Sequence, residues 1–215
     1  MVPKQTGEHA LGLDIGKRID YSVVSVFRRA HRIVATDLAP ELGTPLEELE
    51  TERVDPAWIM VYQKKFELGT PITEVVNHCL WLINDCFNIK YAAMDQTQVG
   101  EMPFEVIHAQ VPIMQGVYFS AQAKQDVFMS YYYMVEQRRV GFPYSTEYED
   151  NFTQHAEQQA GYSQAKPSAV REPEEKGVAM YWHPPGRHDD RLVSCCLAIW
   201  STIHRVKKSD TGVAR

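Results

Sequence analysis

Residues 11–27 read LGLDIGKRIDYSVVSVF, and this stretch decides the predicted fold. Two apolar runs, at 10–15 and 20–27, flank a turn that Gly16 permits, so the stretch predicts a β-hairpin. The first run is almost continuously apolar, which is typical of a central strand covered on both faces. The hairpin therefore indicates a sheet with layers packed on both of its sides.

Hydrophobic patterning outside the hairpin predicts further strands, helices and polar excursions. Additional strands are predicted at 30–35, 57–66, 89–94, 104–113 and 178–182, helices at 71–86, 121–139, 147–159 and 189–206, and exposed polar stretches at 37–56 and 145–176. Thr70 is predicted to cap the first helix, with Pro71 at its first position. This order of elements predicts an α/β fold in which helices flank one mixed β-sheet.

The composition bounds the class of protein. A chain of 215 residues with 44% hydrophobic and 23% charged residues predicts one globular domain over 1–215, with a flexible tail at 206–215. No apolar run is long enough to span a bilayer and the N-terminus lacks a signal-peptide core, so we expect a cytoplasmic protein without a membrane partner. The four cysteines lack paired spacing and are predicted to be buried thiols.

Aspartates recur where the predicted apolar elements begin or end. Asp14 ends the first strand and Asp95 follows the strand at 89–94, while Asp189 and Asp190 open the last helix. Carboxylates that crowd together or lose water cost free energy unless a cation neutralises them. Oxygen ligands without a Cys/His cluster favour Mg²⁺ or Mn²⁺ over zinc. In open α/β sheets sites gather at the carboxyl ends of strands, so the pattern predicts a two-ion site that hydrolyses phosphodiesters.

Each aspartate also has a structural interpretation. An Asp at a strand end caps turns, and an Asp at a helix N-terminus is favoured by capping and by the helix dipole. Two consecutive acids, Asp189 and Asp190, exceed what a cap requires. Asp20, at the start of the second strand, and His188, which precedes the acidic pair, are accessory candidates.

Basic residues supply the candidates for DNA contacts. Lys124 lies early in the helix at 121–139, where it is a candidate to meet a scissile phosphate. Local clusters that are candidates to line a DNA groove contain Arg138, Arg139 and Arg187. The net charge of −6 predicts weak affinity for isolated duplex DNA, because bulk electrostatics do not favour binding.

Five segments, in order along nearly the whole chain, resemble the nuclease domain of the large terminase subunit of tailed phages and related viruses. LGLDIGKRIDYSVVSVF is similar to the opening hairpin with its first catalytic Asp, and FELGTPITEVVNHCLWLI to the following strand-to-helix segment. IKYAAMDQTQVGEMPFEVI resembles the central strand that ends in D-x-T-G-x-G. AKQDVFMSYYYMVEQRRVGFP resembles the helix with an early Lys, and VAMYWHPPGRHDDRLVSCCLAIW the closing strand, HDD and helix.

The resemblance implies a ribonuclease H-like fold and a metal-dependent DNA endonuclease. It implies Asp14, Asp95 and one of Asp189 and Asp190 as metal ligands, double-stranded DNA as substrate, and a separate ATPase motor, small terminase or portal protein as partner. No ATPase segment precedes the domain, so the sequence is interpreted as an excised domain, a separately encoded nuclease or a relic. It departs from the terminase pattern at Gln98, Ser194 and Cys195.

Three alternatives remain open at this point. A RuvC-type junction resolvase shares the opening DxG, and a non-catalytic assembly module of a packaging motor would retain the fold without cleaving DNA. A sugar-kinase or actin-like nucleotide binder is suggested by LDIG, although a chain of this length has no room for a second lobe. The absence of GxxxxGK[ST], GxSxG and HExxH from the sequence argues against the ATPases, hydrolases and zinc peptidases that these motifs mark.

Overall fold

The computed structural model describes residues 4–16, 20–35, 51–97, 100–143 and 189–204. The strands in this part of the chain are β1 (Gln5–Asp14), β2 (Val23–Ala35), β3 (Thr51–Lys65), β4 (Phe87–Asp95), β5 (Met114–Val117) and β6 (Val140–Gly141). The helices are α1 (Ile72–Trp81), which continues as a π-helical turn at Leu82–Cys86, then α2 (Glu101–Gln110), α3 (Ala121–Glu136) and α4 (Asp190–Ile203). None of these helices is long and apolar enough to cross a membrane.

The six strands form one mixed sheet in the order β5-β4-β1-β2-β3-β6. The pairs β1–β2 and β2–β3 are antiparallel, whereas β4 is parallel to β1, β5 to β4, and β6 to β3. The predicted hairpin is confirmed, with Asp14 opposite Val23 and His9 opposite Arg28. Its second strand begins at Val23, so Asp20 precedes the strand instead of opening it.

The predicted strand at 104–113 is wrong. Residues Glu101–Gln110 form α2, and a shorter strand, β5, follows it at Met114–Val117. Pro103, Ile107 and Val111 are buried at four-residue spacing, which is the period of one helical face. The alternation in FEVIHAQV is short enough to fit either a strand or a helix. The segment is a helix because its buried face packs against the sheet.

Other sequence predictions need smaller corrections. β3 begins at Thr51, so 51–56 belongs to the sheet and not to the predicted excursion at 37–56. Pro71 is the N-cap of α1, while the Thr70 hydroxyl donates to the Glu67 carbonyl at 2.7 Å and caps nothing. The predicted helix at 147–159, strand at 178–182 and tail at 206–215 lie outside the described residues, as does most of the polar stretch at 145–176.

The core has two layers, one on each face of the sheet. On one face, here called the α4 face, α3 and α4 pack on Phe27, Trp58 and Tyr91. On the other face, here called the α1 face, α1 and α2 pack on Leu11 and Met94. The predicted burial of the cysteines is confirmed for Cys79, Cys195 and Cys196, and Cys86 is partly buried. Burial raises the pKa of the Cys79 and Cys195 thiols to about 12, so these two groups are unreactive near neutral pH.

Helix α4 lies directly against β1 at Gly12. A Cβ atom at this position would overlap the Ser194 carbonyl and the Ala198 backbone nitrogen of α4. The obstructing atoms belong to helix backbone, which cannot rotate aside as a flexible side chain does. Glycine at position 12 therefore sets the distance between α4 and the central strand.

Replacing Gly12 by alanine should destabilise the protein because α4 would have to move away from the sheet. We expect Gly12→Ala to cost about 3 kcal/mol or more of unfolding free energy, the upper end of the cost of overpacking a core. The matched control is Gly69→Ala. A Cβ at this position would meet no atom within 4 Å apart from its chain neighbours, so only the backbone strain of φ +82° applies, about 1 kcal/mol. Urea denaturation of both variants measures the difference, and equal losses would contradict the close approach.

Candidate active site

Two aspartates lie side by side at the carboxyl edge of the sheet. β1 and β4 are parallel, and Leu13 pairs with Met94, so Asp14 and Asp95 are the next residues in register. Side chains alternate between the faces of a strand, and the leucine at position 13 packs on the α1 face. Asp14 and Asp95 therefore both project on the α4 face, on strands spaced about 4.8 Å apart.

The first turn of α4 brings two more carboxylates to this edge. Asp189 is the N-cap of α4 and Asp190 is its first residue; both are buried, as is Asp14. The Asp189 carbonyl accepts the first helical hydrogen bond, from the Val193 N–H at 2.8 Å. Its side chain makes no capping hydrogen bond. Capping therefore does not explain the acidic pair.

The electrostatics of Asp14 show that these groups act on one another. Burial is the main cause that raises the pKa of Asp14 well above its usual range. The negative charges of Asp190, Asp95 and Asp189 raise this pKa further, in that order of size. The ammonium of Lys124 opposes them. The structure thus brings together all four predicted metal-binding carboxylates and the predicted lysine.

Lys124 reaches the acidic pair from the first turn of α3. The Ser120 hydroxyl caps α3 by accepting a hydrogen bond from the Ala123 N–H at 3.1 Å. Lys124 Nζ lies 3.7 Å from Asp189 Oδ2 and 5.5 Å from the centroid of the Phe128 ring. This placement gives the acidic edge one positive group with a defined position.

Thr97 orients Asp95, and sequence reasoning did not single it out. The Thr97 N–H donates to Asp95 Oδ1 at 2.7 Å, and the Thr97 hydroxyl accepts from the Phe119 N–H at 2.8 Å. The loop after β4 is thereby tied to the chain that follows β5. The signal was present in the sequence as Asp-x-Thr, the spacing of an Asx turn.

For the remaining predicted site residues, a part in this cluster stays a prediction. Asp20 is half-buried in the connection before β2, and its accessory role stays a prediction. His188 and Arg187 lie outside the described residues. Arg138 and Arg139 follow the far end of α3, about 20 Å from Lys124 at a helical rise of 1.5 Å per residue. Their contact with DNA stays a prediction.

The donor set fits a hard divalent cation. Carboxylate oxygens are the ligands that Mg²⁺ and Mn²⁺ prefer, and a cation would offset the repulsion that raises the pKa of Asp14. Among the residues that the structure describes, no three His, Cys, Asp or Glu side chains already enclose a position for an ion. The carboxylates therefore converge on one edge without forming a closed cage.

Comparison with solved structures identifies similar backbones. The chain is similar to the large terminase nuclease from thermophilic phage G20c, with a TM-score of 0.57, 18% sequence identity, and coverage of 92% of this chain and 84% of that chain. For the same nuclease with bound cobalt the TM-score is 0.57 and the identity 16%, with the same coverage. With bound magnesium the values are 0.56 and 16%, with coverage of 92% of this chain and 82% of that chain.

These comparisons confirm the predicted fold. The chain has a ribonuclease H-like α/β fold in which four described helices flank one mixed six-stranded sheet, and the resemblance to terminase nucleases holds at the level of the backbone. No protein-family model and no curated protein sequence matches the chain. The likeness therefore rests on architecture at low sequence identity.

Asp14→Asn should stabilise the metal-free protein at alkaline pH. The raised pKa of Asp14 means that the native state loses stability as pH rises from the ordinary Asp range through the raised value, because an ionised carboxylate must then be buried beside others. We expect a higher melting temperature than wild type at pH 8 in EDTA, and a smaller difference at pH 5. Asp85→Asn, at an exposed position, is the control. A lower melting temperature of Asp14→Asn at pH 8 would indicate a structural role for this carboxyl.

Proposed function

We propose that this chain is a divalent-metal-dependent DNA endonuclease that acts in viral DNA packaging as terminase nucleases do. The observation that carries this proposal is the convergence of Asp14, Asp95 and the Asp189–Asp190 pair at one edge of the sheet. The fold is shared with a nuclease whose crystal structures include forms with bound magnesium, cobalt and zinc. Fold and acidic edge together support hydrolysis of a phosphodiester over the other chemistries of α/β proteins.

The metal-binding residues would be Asp14, Asp95 and one of Asp189 and Asp190. They would hold two divalent ions, either Mg²⁺ or Mn²⁺. Bound ions of this kind lower the pKa of an attacking water and neutralise charge on the transferring phosphate and the leaving oxygen. Asp14 would be the central ligand in this arrangement, because β1 lies between β4 and β2 and packs against α4. The hydrogen bond from Thr97 would keep Asp95 in one orientation during turnover.

The protein's own groups would hold the DNA strand in place. The Lys124 ammonium lies beside the carboxylates and would face the scissile phosphate, where a fixed positive charge stabilises the developing negative charge. Backbone phosphates carry no sequence information, so we expect cleavage that is largely indifferent to sequence. A separate ATPase motor, with a small terminase or a portal protein, would deliver double-stranded DNA to a nuclease whose net charge of −6 disfavours tight binding on its own.

A non-catalytic assembly module is the second candidate, and one observation favours it. Within the described ranges no three ligating side chains yet enclose an ion position, as an inactive relic of the site would also show. A module of this kind would give neither a thermal shift with divalent ions nor cleavage. The nuclease proposal requires both.

Supercoiled plasmid should be nicked and then degraded by the protein with Mn²⁺ or Mg²⁺. Asp14→Asn and Asp95→Asn should each lower the initial rate about 10²–10³-fold, the usual effect of removing a group that stabilises a transition state electrostatically. Asp85→Asn, an exposed aspartate outside the cluster, should cleave like wild type. Gel analysis of timed reactions measures the rates. Cleavage that survives EDTA, or full activity of Asp14→Asn, would remove the assignment.

Lys124→Gln should separate phosphate stabilisation from metal binding. We expect the cleavage rate to fall about 10²-fold while the thermal shift caused by Mn²⁺ is retained, since the ammonium contributes charge to the transition state and no ligand to the ion. Lys90→Gln, an exposed position on β4, is the control. An unchanged cleavage rate in Lys124→Gln would show that this lysine serves only to pair with Asp189.

A further inference from the structure

A row of paired residues runs from the carboxylates across the sheet to a lysine. Asp14 lies opposite Val23 on β2, and Val23 lies opposite Lys65 on β3. Residues paired directly across antiparallel strands project on the same face, so Lys65 shares the α4 face with Asp14. Two strand spacings separate their backbones, which is roughly 10 Å. The basic end of this row therefore lies on the same face of the sheet as the carboxylates, two strands away.

The side chain of Lys65 is exposed, and an aromatic ring fixes its direction. Its Nζ lies 4.6 Å from the centroid of the Tyr21 ring, in the connection that leads into β2. A cation over an aromatic face is held by a modest attraction, so the ring gives the ammonium a defined direction. Lys65 thus presents its charge next to the acidic edge, on the side opposite to Lys124.

Arg191 lies in the same region and is held by a buried polar network. Its Nη1 donates to Gln63 Oε1, and Gln63 lies two residues before Lys65 on the same face of β3. Gln63 Nε2 in turn donates to Ser25 Oγ at 2.9 Å, and Ser25 Oγ lies 2.7 Å from Ser194 Oγ of α4. The network ties the guanidinium to β3 through Gln63 and, through Ser25, to β2.

We propose that Lys65 and Arg191 form a binding strip for the backbone phosphates of a DNA strand, beside the carboxylates on the β3 side. This proposal rests on the proposed function, because it takes a nucleic acid as the ligand. The carboxylates repel a phosphodiester strand, so the phosphates that flank the scissile one need positive partners from the protein itself. A guanidinium matches two phosphate oxygens at once, and an ammonium adds a point charge.

Charge placement gives the strand a direction over the sheet. Lys124 stands at the α3 side of the acidic cluster, 3.7 Å from Asp189, and the strip stands at the opposite side, over β2 and β3. A strand that contacts both would cross the edge of the sheet where the carboxylates lie. The strip contacts phosphates alone, so it would increase affinity for any sequence equally.

The chain supplies a closely matched control for Lys65. Lys64 is its neighbour on β3, projects on the α1 face, and places its Nζ 4.6 Å from the centroid of the Phe66 ring. The two lysines therefore share residue type, strand and contact with an aromatic ring. They differ in the face of the sheet on which they lie.

The test is DNA binding measured by fluorescence polarisation with a labelled duplex, in EDTA and in an Asp14→Asn background, so that binding is measured without cleavage. We expect Lys65→Gln to weaken binding severalfold and to reduce the slope of log K against log salt by about 0.9, the value for one lost phosphate contact. Lys64→Gln should change neither quantity. Arg191→Gln should act like Lys65→Gln, and Arg191→Lys should keep the salt slope but only part of the affinity, because an ammonium retains the charge without the two-oxygen contact.

The outcomes separate this proposal from the nuclease proposal. Equal affinities and slopes for Lys65→Gln and Lys64→Gln would overturn the strip even if the protein cleaves DNA. A selective loss in Lys65→Gln would support the strip even if no cleavage is found. Lys65 is exposed, so its substitution tests the strip even if Arg191→Gln lowers the melting temperature. The strip is also overturned if the Asp14→Asn protein shows no binding at low salt up to about 10⁻⁴ M, the weak end of non-specific affinity.

Discussion

The close contact between α4 and β1 at Gly12 is the constraint on which the rest of the structure depends. Because glycine has no Cβ, the helix backbone lies directly against the central strand, and the first turn of the helix reaches the carboxyl end of that strand. This contact brings Asp190 within electrostatic reach of Asp14. A larger residue at position 12 would separate the helix from the sheet and the acidic groups from one another.

The acidic edge lowers the stability of the native state, and the rest of the protein must offset this loss. Buried carboxylates that repel one another lower the stability of the native state, and a two-layer apolar core supplies the compensating free energy. Apolar packing does not specify how a helix is rotated on a sheet, because the hydrophobic effect has no direction. The hydrogen bonds that join Ser25, Gln63 and Ser194 supply that direction, and they keep α4 in one register over β2 and β3.

The backbone likeness to the phage G20c nuclease at 18% identity shows how little of this fold depends on particular core side chains. Cores tolerate many hydrophobic substitutions when their total volume and pattern are kept. The strand order and the placement of a helix over the central strand are set by pattern. Individual polar residues set the geometry of the edge where the carboxylates lie.

The sequence alone determined the hairpin, the helices α1, α3 and α4, the strand β4, and the list of acidic residues that a site would use. These are local signals, in which the period of apolar residues or a residue such as Gly16 acts on its immediate neighbours. The strand predicted at 104–113 was wrong because a short alternation fits two periods. Tertiary structure alone decided that Asp20 precedes β2, that Thr97 orients its neighbour, and that residues far apart in the chain share one polar network. Such contacts depend on strand register and on helix packing, and neither is encoded in the spacing of residues along a single segment.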